Sequence, residues 1–391
     1  MRRSLPSTLA ALALTGAAVL SGCSAPAEST PSPSAAPRSA TPTPTPATAA
    51  EWAAERVAGM TIDEKAASVL MLHAPGTDPA AMRALLDEGI AGVILMGDNM
   101  TGDQASLAAL TAALQVDPDA ATLVGIDQEG GIVSRIDWDT APGPVEVRAQ
   151  PPAATRDAFA ARAATLAASG VNVNFGVVAD VTADPSSFIF DRVLGTDPAD
   201  AGARVAAAVE GERGAVLSTV KHFPGHGAAP GDSHVSIPTA PLTLDEWRAG
   251  PALPFAAAIA ADVELVMTGH LAYPAVDAAP ASLSPEWHRI LREELGFDGV
   301  LVTDDMLMLQ HNGLPEYADP GENAVQAIAA GSDLLLYVLP ADPSEFGISV
   351  GGLAASIAEA VDAGRIPEAR LDEAATRVLE LRRELVVGSG E

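Results

Sequence analysis

Residues 221–234 carry one ammonium (Lys221), three imidazoles (His222, His226, His234) and one carboxylate (Asp232). They follow an apolar run at 214–220 that reads as a buried strand, and Pro224, Gly225, Gly227, Pro230 and Gly231 break the stretch into a loop. Imidazoles beside a carboxylate can move protons, and a cation can bind polar ligands, so this is the make-up of a site rather than of a core. In a chain of repeating β/α units, loops at the C-terminal ends of strands are where such folds place chemistry. His226, next to Gly227, reads as a loop-shaping residue. A metal centre on His222, His226 and His234 is disfavoured, because their spacing is irregular for one helix face and Lys221 would sit among the ligands. No metal and no cofactor is expected.

The elements that must position this loop come next. From residue 51 the chain alternates short apolar runs with amphipathic, Ala-rich stretches. Strands are predicted at 68–72, 92–96, 122–126, 171–178, 215–221, 265–268, 300–303 and 333–338, with a helical segment at about 350–385. Near-continuous apolar strands suit a parallel sheet buried on both faces. Eight such units predict an α/β fold, a single (β/α)8 TIM-type barrel with no second sandwich domain; a doubly wound open sheet is the runner-up. Five predicted strands end in ionisable groups: Asp127 after the third, Asp180 after the fourth, Lys221 and His222 after the fifth, His270 after the sixth, and Asp304 with Asp305 after the seventh. Charges at buried strand ends need partners or a function.

The 391 residues are 48% hydrophobic, enough for a large core, and carry a formal charge of −29. Such acidity argues against nucleic acid and anionic lipid head groups as partners. Residues 1–22 read as an export signal: Arg2 and Arg3, an apolar run at 9–20 too short for an ordinary membrane span, then small residues. Leu20-Ser21-Gly22-Cys23 resembles the lipobox of bacterial lipoproteins, which implies a lipid on Cys23 and an extracytoplasmic, membrane-anchored protein. Cys23 is the only cysteine, so no disulfide can form within the chain. Residues 23–50 form a Ser/Thr/Pro/Ala tract that reads as an extended spacer, and 51–391 as one catalytic domain.

Four motifs then occur in order: Asp127-Gln128-Glu129-Gly130-Gly131 with Arg135, Asp191-Arg192-Val193-Leu194-Gly195, Lys221-His222-Phe223-Pro224-Gly225-His226-Gly227 with Asp232-Ser233-His234, and Gly296-Phe297-Asp298-Gly299 leading to Thr303-Asp304-Asp305. Together they resemble glycoside hydrolase family 3, in the branch of bacterial β-N-acetylglucosaminidases. The resemblance implies that Asp304 is the nucleophile of a retaining glycosidase, forming a covalent glycosyl-enzyme. It implies His234 as acid and base, oriented by Asp232, in place of the usual second carboxylic acid. It further implies Asp127, Arg135, Arg192, Lys221 and His222 as sugar ligands, with Arg192 near the nucleophile and the acetamido side, and Asp180 and His270 as supports. Ile132 stands where many relatives have Arg, and Asp191-Arg192-Val193-Leu194-Gly195 replaces a commoner Arg-Ser-Phe-Gly type, which changes the outer edge of the sugar pocket.

The expected activity is exo-hydrolysis of terminal N-acetylglucosamine from cell-wall or chitin-derived oligosaccharides by a monomer. A phosphorylase on the same residues is the near alternative, since a neutral His repels phosphate less than a carboxylate does. A catalytically lost sugar-binding lipoprotein is a third reading, opposed by the intact Asp304, Asp232 and His234.

Overall fold

The structure, a computed structural model, describes residues 48–388. The expected export signal, Cys23 and all but the last three residues of the 23–50 spacer lie outside the described residues. Eight strands alternate with helices: β1 (Leu70–Leu72), β2 (Gly92–Leu95), β3 (Leu123–Ile126), β4 (Val173–Val178), β5 (Leu217–Phe223), β6 (Leu265–Thr268), β7 (Val300–Thr303) and β8 (Leu335–Tyr337). They form one sheet in the order β7-β6-β5-β4-β3-β2-β1-β8, with every pairing parallel. A parallel bridge between Val302 and Leu334, with the Met306 amide donating to the Leu336 carbonyl at 2.9 Å, draws the two edge strands together. The sheet is therefore a nearly closed barrel, as expected, and not an open doubly wound sheet.

Alternation along the strands sorts two layers. Val300 and Val302 face the barrel interior with Met71, Ile94, Phe175 and Met267, whereas Leu301 packs outward among Ile290, Leu291 and Phe297. A Cβ on Gly125 would come within 2.6 Å of Met71 and Phe175, so glycine there is what lets both large side chains fill the interior. Each such buried side chain contributes about 1.5–3 kcal/mol. Gly125→Val would overpack that layer at a cost of about 1–3 kcal/mol.

Local chemistry sets where the helices begin. Asp78, Asp197 and Asp319 each accept a backbone amide from two or three residues on, and each is followed by proline at the first helical position. Thr48, Thr61 and Thr243 form reciprocal capping boxes with Glu51, Glu64 and Glu246. The C-terminal helix Glu368–Gly388 plugs the barrel end away from the ionisable strand ends: its Val378 and Leu381 join the interior cluster, and its Arg370 and Arg377 reach the buried Asp333 at 2.5 and 3.2 Å.

Several boundaries differ from the sequence expectation. The first helix, Ala49–Ala58, takes the last two residues assigned to the spacer, because the Thr48 cap starts it there. The strand expected at 68–72 begins at Leu70, since the Thr61 cap launches a helix through Ser68. The one expected at 333–338 spans only Leu335–Tyr337, Asp333 being held by arginines. The helical segment expected at about 350–385 is two helices, Val350–Asp362 and Glu368–Gly388. The strand expected at 215–221 runs instead from Leu217 to Phe223, which puts Lys221 and His222 inside it.

Candidate active site

The C-terminal ends of the strands surround a cavity of about 380 Å³. Asp127, Glu129, Ile132, Arg135, Phe188, Arg192, Lys221, His222, Ser233, His234, Asp304 and Asp305 line it, over a floor that includes Ile94, Met267 and Leu336. Seven of the eight sequence-nominated site residues therefore share one cavity. The eighth, Asp232, is bonded to one of them.

Two consecutive residues of β5, Lys221 and His222, face this cavity, although strict alternation would turn one of them away. The β5–β6 register shifts between Val220 and Phe223, and the Lys221–His222 peptide is cis. Lys221 Nζ donates to Asp127 Oδ1 and to Glu129 Oε1, both at 2.8 Å. Glu129, with no solvent exposure, also accepts the Arg192 fork, Nε at 2.9 Å and Nη2 at 2.7 Å. Burial opposes ionisation of Glu129, but Lys221 and Arg192 outweigh it and hold the carboxyl below its ordinary range. Asp127 is held low in the same way, against burial, by Lys221 and Arg135. Lys221 stays a cation, its burial offset by Asp127 and Glu129.

Arg135 reaches Asp127 because Gln128 folds its loop. The Gln128 Oε1 accepts the amides of Arg135 and Ile136, while its Nε2 donates to Ser134 Oγ and Asp139 Oδ2. Arg135 Nη2 then lies 3.5 Å from Asp127 Oδ2.

His222 is neutral: burial, then Arg192, carries its pKa well below the usual imidazole value. Its Nδ1 lies 2.7 Å from Asp180 Oδ2, which makes Nδ1 the donor and leaves Nε2 to accept from Arg192 Nη2 at 3.3 Å. Asp180 also accepts the backbone amides of His222 and His226 and is pushed up to about 6 by burial. It thereby supports the site from behind. The His226 ring is buried, with Nε2 unpartnered among the described residues, in keeping with a loop-shaping role. A side chain on Gly227 would collide with the Val181 carbonyl, so the β5 loop can cross the β4 loop only with glycine there.

Asp304 and Asp305 leave β7 with different properties. Burial opposes ionisation of Asp304, but His222, His270 and Lys221 together hold it below the ordinary value. Since burial keeps His222 and His270 neutral, Lys221 is the permanent cation of the three. Burial instead pushes Asp305 up to about 7, while its Oδ1 accepts the amides of Leu307 and Val338 at 3.1 and 2.9 Å. The pair thus splits into one ionised carboxylate and one built into the backbone. His270 supports that turn, with ring nitrogens 2.7 Å from Ser282 Oγ and 2.9 Å from the Asp305 carbonyl.

His234 sits on an exposed turn. Its Nδ1 and backbone amide lie 2.6 and 2.9 Å from Asp232 Oδ1, and the two side chains are 58% and 40% exposed. What little burial Asp232 has opposes ionisation, but the His234 amide and ring hold it low. The foot of the loop is fixed by Trp247 donating to Pro224 O at 2.8 Å and Tyr273 donating to Gly225 O at 2.6 Å.

Three things were not anticipated. Glu129 was quoted in a motif without a role, yet it ties Lys221 to Arg192; an acid between Gln128 and Gly130 on a strand-end loop was the available signal. Arg192, expected as a direct sugar ligand, commits Nε and Nη2 to Glu129, which leaves Nη1 for a ligand. Phe188 on the cavity wall gave no sequence signal. Among the described residues no group of three or more His, Cys, Asp or Glu side chains is placed to hold a metal ion, and no helix is long and apolar enough to cross a membrane.

Comparison with known proteins agrees with this fold. The chain is 36% identical over 253 residues to a protein named beta-hexosaminidase from Methylococcus capsulatus, spanning 63% of this chain and 74% of that protein. Its fold superposes on a glycoside hydrolase family 3 beta-N-acetylglucosaminidase from Paenibacillus sp. with a TM-score of 0.75 and 32% identity, covering 84% of this chain and 63% of that one. A beta-N-acetylhexosaminidase from Beutenbergia cavernae gives 0.71 and 30%, covering 83% of this chain and 99% of that one. Residues 61–381 match the model of the glycosyl hydrolase family 3 N terminal domain, and the chain belongs to glycosyl hydrolase family 3.

Proposed function

We propose that the protein is a retaining exo-β-N-acetylhexosaminidase that releases terminal N-acetylglucosamine from cell-wall or chitin-derived oligosaccharides. The observation that carries this reading is the ionised Asp304 sharing one cavity with a carboxylate-oriented imidazole, His234. A family 3 chain with relatives named beta-hexosaminidase supports the substrate class.

In the first step a carboxylate oxygen of Asp304 bonds to the anomeric carbon as the glycosidic bond breaks, and His234 gives the departing oxygen its proton. In the second, His234 takes a proton from water, whose oxygen bonds to the anomeric carbon and releases Asp304. Asp232 fixes the tautomer that makes both transfers possible. Asp127, Arg135, Lys221 and His222 supply charged and neutral bonding groups for sugar hydroxyls. Asp304→Ala is expected to abolish turnover of p-nitrophenyl N-acetylglucosaminide while the protein stays folded; an active variant would overturn the assignment.

The acid–base group also favours a second reading. An imidazole that has given up its proton is uncharged, so inorganic phosphate can approach where a carboxylate would repel it. Products formed from the aryl N-acetylglucosaminide and the aryl glucoside, each with and without phosphate, separate the two: free sugar throughout supports hydrolysis, and sugar 1-phosphate in the phosphate arm supports phosphorolysis. The lipobox-like Cys23 supports an extracytoplasmic, membrane-anchored protein. A lipid mass on the N-terminal peptide tests the anchor, and an unmodified Cys23 in the mature protein would remove it.

A further inference from the structure

We infer that Phe188 is a positioning residue that sets where the His234 imidazole rests over the cavity, an inference that depends on the acid–base role proposed for His234. Asp232 fixes the tautomer of His234, but both residues ride on the same exposed turn. Their mutual bond therefore cannot fix the pair relative to Asp304. The ring contact of His234 with a different part of the barrel is Phe188, whose centroid lies 5.6 Å away with the planes at 73°. The same ring lies 5.7 Å from the buried His226 ring and 5.8 Å from the Arg192 guanidinium.

Phe188 itself stands on a fixed base. The Phe190 amide donates to Ser187 O and the Arg192 amide to Ile189 O, at 3.0 and 2.9 Å, which folds the segment into successive turns. The next residue, Ile189, is wholly buried against Val178 and Val193. Yet Phe188 is 38% exposed and its ring neighbours are polar site groups, so core packing does not account for a large apolar ring at this point. An edge contact between an aromatic ring and an imidazole is directional, and proton donation to a leaving oxygen depends steeply on placement.

The test is a leaving-group series on wild type, Phe188→Ala, Phe188→Leu, His234→Ala and the Phe188→Ala/His234→Ala double variant, with each variant's melting temperature and N-acetylglucosamine inhibition constant as controls. A misplacement of about 1 Å can cost roughly 100-fold. For Phe188→Ala the expected result is a loss of about 10- to 100-fold in kcat/KM with a poor alkyl or sugar leaving group, under about threefold with dinitrophenolate, and an unchanged inhibition constant. Phe188→Leu, which keeps apolar volume without the ring, shows the same pattern. In the His234→Ala background, removal of the ring has no further effect.

Equal losses for all leaving groups would overturn the inference, as would a loss that persists without His234. A KM that rises with leaving-group size, whatever its basicity, would make Phe188 a substrate platform and overturn it too. If His234→Ala shows the leaving-group dependence and Phe188→Ala does not, only the positioning role falls. If His234→Ala shows none, the acid–base assignment falls and takes this inference with it.

Discussion

Glu129→Gln tests whether one buried carboxylate organises the sugar-binding cations. Glu129 accepts three charge-assisted bonds, at 2.9 and 2.7 Å from Arg192 and 2.8 Å from Lys221, with no exposure to water. Glutamine keeps the volume but offers one acceptor oxygen, and turns an amide donor against the fork of Arg192 or the ammonium of Lys221. Breaking a buried charge pair from one side costs about 3–5 kcal/mol. At roughly 2 °C per kcal/mol, which suits a chain of this size, the melting temperature should fall by roughly 6–10 °C. Lys221 is then left with Asp127 alone, so both lose their set position and N-acetylglucosamine should inhibit about tenfold more weakly. Glu129→Asp, which keeps the charge on a shorter stem, should recover part of the stability. Differential scanning fluorimetry and a competitive inhibition assay read both quantities. A melting temperature within about 1 °C of wild type and an unchanged inhibition constant would refute the reasoning.

Glu212 is fully buried at the C-terminal end of the helix Pro198–Glu212, accepting from Asn174 and Ser218, and burial pushes it from 4.5 to about 7. Its folded pKa is raised, so its contribution to stability is present below pH 4.5 and lost as pH rises through 7. Glu212→Gln should therefore gain on wild type by up to about 1.4 kcal/mol per pH unit across that window, read from denaturant midpoints at pH 5 and 7.5; a pH-independent difference would contradict the assignment. The lowered carboxyls Asp127, Glu129 and Asp304 act with the opposite sign, so acidification below the ordinary carboxylate range should destabilise the site end of the barrel, visible as lost protection of the β3 and β7 amides in hydrogen exchange. Activity should survive prolonged dialysis against a strong chelator; a loss restored by one added metal would revive the metal-dependent reading.

Much of the barrel was legible because its strands are apolar on both faces. The expected runs at 265–268 and 300–303 coincide with β6 and β7. The reading failed where a local cap outcompeted an apolar run, as Thr61 does by carrying a helix through the buried Ala66, Ala67 and Ser68. The motifs named residues that do share a cavity, because strand-end polar groups have few structural uses. What they could not show was the pairing among them. Glu129 looks like any acid in a glycine-flanked loop until folding brings Lys221 and Arg192, distant in sequence, onto its two oxygens. Phe188 was invisible for a related reason: Phe188-Ile189-Phe190 is an apolar patch too short to show a period, and the two imidazoles that Phe188 meets come from another loop.

The central claim is a covalent bond between the anomeric carbon and Asp304. A fluorinated N-acetylglucosaminyl fluoride that reacts quickly with the nucleophile and turns over slowly would accumulate this species, and peptide mass mapping of the inactivated protein locates it. The account predicts one added sugar on the peptide containing Asp304, lost again as activity returns. An adduct on Asp305, Asp127 or Glu129, or inactivation with no sugar bound to any carboxylate, would contradict it.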